Sequence, residues 1–199
     1  MNNYNQVVKL FYKRIAILFL VYQICRLLFW FYNKDAFSDV TISAIFGGML
    51  YDFAAISFIN LVFVPLYLLP GNFKFSLKYQ KVLKIIFYTI NLIFIATNFV
   101  DFEYYKFTGR RSSLGLLMAK GMENEIIGLI PSFIKEFWYL PIALAVFAIL
   151  IWKLFGKSKD FGADILTKKL FFTQLTVFLL SVGLFLILAR GGFGKKPIR

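Results

Sequence analysis

Two charged residues lie inside long apolar segments of the sequence, where a charge needs a partner. Arg26 belongs to the first segment and Asp52 to the second. An ionised side chain inside a membrane costs about 2.5–3.5 kcal/mol on insertion scales and usually faces a partner or a wet cavity. At 1.5 Å per residue their predicted depths differ by about 8 Å, so we predict an intramembrane polar pair. This pair would either fix the register of two helices or face a substrate. Three further polar residues within the segments are interpreted as interhelical hydrogen-bonding groups: Asn60, Asn91 and Asn98.

A second group of charges follows the third apolar segment, in the stretch DFEYYKFTGRRSS. Asp101 and Glu103 lie near its start, and Arg110 and Arg111 lie near its end. Arginine guanidinium groups match phosphate oxygens, and a basic pair at headgroup depth can hold an anionic lipid. The stretch therefore predicts a lipid headgroup-binding site at these four residues. The alternative is a solvated charge cluster that anchors the end of a helix.

The composition excludes several other kinds of site. The chain has no histidine and one cysteine, Cys25, so it holds neither a Ser-His-Asp triad nor an internal disulfide. We predict no catalytic residue, no metal ligand and no cofactor in this chain, and interpret Cys25 as a small buried apolar residue. The net charge of +13 is spread between apolar segments. It does not form a basic motif of a nucleic-acid-binding domain, so we expect no nucleic-acid partner.

The elements that carry these residues are predicted to be transmembrane helices. Of the 199 residues, 60% are hydrophobic, whereas a soluble domain has about 45–50%. We predict an all-α integral membrane protein, a bundle of about five transmembrane helices. Pro65 is expected to kink the second of them. The predicted spans are about 12–32, 41–69, 82–101, 138–155 and 170–189.

The loop charges predict the orientation of the bundle. If the N-terminus is inside, the inner segments carry 12 Lys and Arg residues and the outer segments carry 9. Because Lys and Arg accumulate on the inner side, we predict an N-in/C-out topology. The outer loop between spans 3 and 4 alternates apolar and polar clusters over residues 112–137. This pattern predicts short interfacial helices.

Four motifs occur together in the order found in a known family. They are GGMLYDFAAISFIN, DFEYYKFTGRRSS, NEIIGLIPSFIKEFW and RGGFGKKPI. In these motifs the chain resembles the membrane domain of the lipoteichoic acid synthase-like family, a branch of the alkaline phosphatase/sulfatase superfamily. The resemblance implies a transmembrane domain over residues 1–189. It also implies that residues 190–199 begin a linker to an extracytoplasmic catalytic domain outside this sequence.

The resemblance also implies a function. Such enzymes use a threonine nucleophile and a divalent metal, Mn or Mg, to transfer phosphoglycerol or phosphoethanolamine from a phospholipid. We therefore expect this chain to be the N-terminal membrane anchor, and a lipid-presenting domain, of a sulfatase-like headgroup transferase in the bacterial plasma (inner) membrane. Its expected partners are anionic phospholipids and its own catalytic domain.

Two other functions are left open by the residues. A stand-alone membrane scaffold or lipid-binding protein without catalysis fits the same sequence. A small transporter fits it less well, because the predicted intramembrane charges lie in the outer half of the bundle and a transporter needs a polar path at both depths.

Overall fold

The computed structural model describes residues 3–37, 42–109, 131–132, 134–162 and 167–191. Within these ranges the chain is helical and forms no strand. Two short 3₁₀ turns, Lys34–Ala36 and Phe73–Phe75, join longer helices. The α-helices are α1 (Asn3–Tyr32), α2 (Ile42–Asn60), α3 (Phe63–Leu68), α4 (Leu77–Thr108), α5 (Tyr139–Leu154) and α6 (Lys168–Ala189).

Four of these helices are long and apolar enough to cross a membrane, namely α1, α2, α4 and α6. Their outer surfaces carry large apolar side chains such as Phe31, Phe58 and Leu180, which are 70%, 74% and 69% exposed. Exposed apolar surface on this scale is rare in soluble monomers and is typical of a surface that lipids cover. The predicted all-helical, membrane-embedded fold is confirmed at this level.

Two of the helices are longer than their predicted spans. Helix α1 begins at Asn3 and α4 continues to Thr108, so both extend several residues beyond their predicted apolar cores. The predicted span 138–155 forms α5, whose 16 residues cover about 24 Å at 1.5 Å per residue. This is shorter than a hydrocarbon core of about 30 Å.

The predicted span 41–69 is divided into α2 and α3 by Pro65. Proline has no N–H group to donate to the carbonyl four residues earlier, which here is that of Leu61. The Leu61 carbonyl instead accepts from the backbone N–H of Val64 at 3.2 Å, and the chain forms a turn between the two helices. The expected kink is thus a break in the helix.

The chain divides into two units. The first consists of Met1–Gln23, Asp39–Asn91 and Phe155–Arg199, and the second of Ile24–Ser38 and Leu92–Leu154.

In the first unit α6 packs against α2 and α3. Phe11 lies at the centre of its aromatic core, with ring centroids 5.0 Å from Tyr67 and 5.6 Å from Phe185. Asn60 and Asn91 donate to each other's side-chain oxygens at 2.9 and 2.8 Å. This reciprocal pair confirms their predicted interhelical role. Asn98, in the second unit, instead donates to the Phe94 carbonyl of its own helix at 3.1 Å.

A buried polar network joins three distant segments of the first unit. The hydroxyl of Tyr4 lies within hydrogen-bond distance of the carbonyl oxygens of Leu68, at 3.2 Å, and Gln174, at 3.1 Å. The side-chain oxygen of Gln174 accepts from the backbone of Gly71 and from Lys74 Nζ at 3.2 and 3.1 Å. The network holds the N-terminal segment, the 69–76 turn and the first half of α6 together.

Candidate functional site

The carboxylate of Glu103 is the centre of a polar cluster in the second unit. Glu103 is 3% exposed on α4, and its Oε1 accepts hydrogen bonds from the hydroxyls of Tyr32 and Tyr139. The two hydroxyl oxygens lie 2.7 Å apart. A buried carboxylate needs hydrogen-bond donors. The two tyrosine hydroxyls supply them and so help to stabilise Glu103 in its buried position.

Lys106 supplies the positive charge of the cluster. Its Nζ lies 3.6 Å from Glu103 Oε2 one helical turn earlier and 3.7 Å from the ring centroid of Tyr32. An ammonium group over an aromatic face gains a cation–π attraction. The side chain of Lys106 remains 42% exposed, so an exposed cation is held in a defined position by two neighbours.

An aromatic group packs the ends of α1 and α4 together beside this cluster. The rings of Phe37 and Tyr105 stack at 5.5 Å, and Phe29 meets Tyr105 edge-on at 5.1 Å. Asn33, buried at the end of α1, donates to the Phe29 and Phe102 carbonyls, at 3.2 Å in each case. These contacts explain why Tyr32 and Glu103 face each other.

Two of the four residues predicted to bind a lipid headgroup can be located. Asp101 is 6% exposed and Glu103 3%, so both are largely shielded from solvent. Arg110 and Arg111 lie outside the described residues, as does most of the predicted interfacial region at 112–137. In the structure Glu103 is an ion-pair partner of Lys106. The headgroup site itself stays a prediction.

The predicted pair of Arg26 and Asp52 also stays a prediction. Asp52 is 8% exposed and accepts a hydrogen bond from Gln23 Nε2 at 2.9 Å within the first unit. Arg26 is half-buried and belongs to the second unit. Gln23 is a partner that the sequence analysis did not find.

Tyr32, Tyr139 and Lys106 were likewise missed as members of the site. Aromatic residues are common where a helix leaves the hydrocarbon region. In the sequence, Tyr32 and Tyr139 are therefore accounted for as interfacial residues, and nothing indicates that they bind a carboxylate. The useful signal was the spacing of Glu103 and Lys106, which places opposite charges on one face of a helix.

The described residues do not offer a metal site. Across the described ranges, no group of three or more His, Cys, Asp or Glu side chains could hold a metal ion. The family resemblance assigns its Mn or Mg to a separate catalytic domain, and no catalytic step is assigned to the described residues.

Comparisons with protein-family models, with curated proteins and with solved structures gave no match. The family resemblance remains an expectation based on the four sequence motifs. The fold and the cluster define the chain as an all-helical membrane-embedded protein in which a buried carboxylate, two tyrosines and a lysine form one polar group.

Proposed function

We propose that this chain is the N-terminal membrane domain of a sulfatase-like phospholipid headgroup transferase, acting on phosphoglycerol or phosphoethanolamine headgroups. In this proposal it anchors the enzyme and holds the donor lipid beside the end of α4. The observation that carries the proposal is the fixed position of Lys106 between Glu103 and Tyr32.

A cation in a fixed position is suited to binding a phosphate group. Lys106 is partly exposed, and Arg110 and Arg111 follow it by about one helical turn in the sequence. Three basic side chains in this region would hold the phosphate diester of an anionic lipid. Holding the substrate next to a catalytic domain contributes the positioning part of catalysis.

The proposed topology has five spans, with the N-terminus inside and the C-terminus outside the bacterial plasma membrane. Contacts within the first unit support the grouping of the predicted inner segments. Phe161 N donates to the Phe75 carbonyl at 3.1 Å, and Asn3 Nδ2 donates to the Gly162 carbonyl at 3.3 Å. The predicted outer ends of α1, α4 and α5 meet around Glu103 in the second unit.

The short helix α5 is part of this proposal. A span of about 24 Å crosses the membrane if the bilayer thins locally or if flanking polar groups extend to the interface. Trp138 precedes the helix, Tyr139 begins it and Lys153 lies in its last turn. Aromatic and basic residues of this kind are typical interfacial anchors.

Catalysis is assigned to an extracytoplasmic domain that would supply the threonine nucleophile and the Mn or Mg ion of the resembled family. A scaffold or lipid-binding protein without catalysis would use the same headgroup site. Formation of diacylglycerol from phosphatidylglycerol or phosphatidylethanolamine by the product of the whole gene distinguishes the two functions. Transfer of the phosphoglycerol or phosphoethanolamine group to an acceptor leaves diacylglycerol, whereas a scaffold leaves the lipid intact.

The headgroup site is tested by replacing Arg110 and Arg111 with alanine. The purified chain is titrated with short-chain phosphatidylglycerol, and bound lipid is counted by native mass spectrometry. Since each basic residue near an anionic surface contributes about 1 kcal/mol, we expect about 30-fold weaker binding.

The matched control replaces Lys78 and Lys81 with alanine. Both are exposed near the start of α4, and the change in net charge is the same. We expect this control to bind phosphatidylglycerol as the parent chain does. Equal losses in the two double variants would show that only net charge attracts the lipid, and would contradict the headgroup site.

A further inference from the structure

A groove rich in lysine lies in the first unit. It encloses about 290 Å³. Helix α1 contributes Lys9 and Lys13, and the segment after α5 contributes Lys157 and Lys159. We call this cavity the basic groove. Two pairs of like charges that face one cavity repel each other, so the arrangement favours an anion between them.

Two buried cations lie behind one wall of the basic groove. This wall contains Phe155 and Gly156. The guanidinium carbon of Arg14 lies 5.8 Å from the ring centroid of Phe155, and Lys84 Nζ donates to the Gly156 carbonyl at 2.6 Å. Arg14 is fully buried and Lys84 is 6% exposed. Both charges are therefore screened little by water and add to the potential inside the groove.

The hydrogen bonding of Arg14 is incomplete. Its Nη1 donates to the hydroxyl of Tyr67, but Nε and Nη2 have no hydrogen-bond partner among the described residues. A buried charge without a counter-charge is costly. An anion in the adjoining groove would attract the Arg14 guanidinium electrostatically across the wall, without direct contact, and would lower the free-energy cost of burying it.

Acidic side chains are few among the described residues of the first unit. In the part of the first unit that the structure describes, the acidic residues are Asp52 and Asp160. Asp52 accepts from Gln23. Asp160 belongs to the segment that lines the groove, and its Oδ1 accepts from the backbone of Gly162 at 3.0 Å. Basic side chains thus outnumber acidic ones among the described residues of the first unit.

We propose that the basic groove binds a phosphate-bearing anion. Ligand pockets usually enclose about 300–1,000 Å³, so the groove suits a small group such as a diphosphate or a lipid phosphate headgroup. The oxygens of a phosphate group accept hydrogen bonds from several ammonium groups at once. The partly exposed apolar side chains of Leu10 and Phe161 in its lining leave an apolar surface for the remainder of the ligand. This proposal does not depend on the headgroup site at α4.

The experiment compares two double variants of the full chain. Lys157→Gln/Lys159→Gln removes two lysines of the groove. Lys168→Gln/Lys169→Gln removes two exposed lysines of the same unit at the start of α6, which do not line the groove. All four side chains are exposed, and a thermal melt of each variant checks that the fold is kept.

Two ligands distinguish the source of the phosphate. Inorganic pyrophosphate is titrated by calorimetry into protein in phosphatidylcholine nanodiscs, and phosphatidylglycerol retained by detergent-purified protein is counted by native mass spectrometry. We expect the groove variant to bind one of these ligands about 30-fold more weakly than the parent chain, because two lysines are lost. The control variant is expected to bind within about 2-fold of the parent, since net charge alone acts weakly across solvent.

Each outcome decides the proposal. Loss of pyrophosphate binding in the groove variant identifies a soluble phosphate ligand, and loss restricted to phosphatidylglycerol identifies a lipid headgroup. Equal losses in the two double variants, or no binding of either ligand to the parent chain, overturn the proposal. If Arg110→Ala/Arg111→Ala weakens lipid binding while the groove variant gives its expected result, the finding bears only on the headgroup site and leaves the basic groove unaffected.

Discussion

Arg14 donates a hydrogen bond to the hydroxyl of Tyr67, and both side chains are completely buried. The guanidinium carbon also lies 5.7 Å from the ring centroid of Tyr67. A single aromatic residue therefore supplies a hydrogen-bond acceptor and a π face to a buried cation. This contact joins α1 to α3.

Replacing Tyr67 by phenylalanine tests the hydrogen-bonding half of this contact. The variant keeps the ring but removes the acceptor of Arg14 Nη1. Because hydrogen bonds to charged groups contribute about 1.5–3 kcal/mol, we expect the free energy of unfolding to fall by about that amount. The measurement is reversible unfolding of the detergent-solubilised protein in a denaturing detergent.

The control is Tyr12→Phe. Tyr12 and Ser181 share a hydrogen bond between neutral hydroxyls at 2.7 Å in the same unit. Its loss is expected to cost about 1 kcal/mol, less than the loss at Tyr67. If Tyr12→Phe destabilises the protein as much as Tyr67→Phe, the charge of Arg14 contributes nothing to the contact.

Glu103→Ala tests the polar cluster of the second unit. The variant removes the acceptor of two tyrosine hydroxyls, but these hydroxyls lie 2.7 Å apart and can bond to each other. We therefore expect the free energy of unfolding to fall by about 1–3 kcal/mol. Glu103→Gln keeps an acceptor and loses mainly the attraction to the partly exposed Lys106, which contributes below about 1 kcal/mol.

Glu136→Ala is the matched control, because Glu136 is exposed and such substitutions usually change stability by less than about 0.5 kcal/mol. The same unfolding assay is used for all three variants. An effect of Glu103→Ala no larger than that of Glu136→Ala would show that the tyrosines do not depend on this carboxylate.

Single cysteines introduced at Asp35 and Ser158 test the proposed topology. With five spans and an inner N-terminus, Cys at position 35 reacts with an impermeant maleimide in intact cells. Cys at position 158 reacts only after the membrane is opened. The parent chain is the control, since its single cysteine, Cys25, is 1% exposed and is expected to stay unlabelled. Labelling of both positions in intact cells would contradict the five-span arrangement.

The sequence was sufficient to predict features that depend on local chemistry. Pro65 lacks an N–H group wherever it lies in a helix, so a defect in the second span follows from its identity alone. Asn60 and Asn91 lie in apolar segments and need polar partners, and each becomes the partner of the other.

Features that depend on distant contacts could not be predicted in this way. Lys13 and Arg14 are adjacent basic residues, and both were counted only as charges that set topology. Successive residues point about 100° apart around a helix, so Lys13 lines the basic groove while Arg14 is buried. Which of them faces inward depends on Tyr67 and Phe155, which lie 53 residues or more further along the chain.

The hydrogen bond between Tyr4 and Gln174 has a consequence for biosynthesis. The two residues are 170 positions apart. At a synthesis rate of about 5–20 residues per second, the ribosome reaches Gln174 roughly 10–30 s after Tyr4. During this interval α1 has already been made, while one of its buried partners does not yet exist. Final assembly of the first unit therefore follows the delivery of α6, and a nascent chain arrested before that helix exposes polar groups that the finished protein buries.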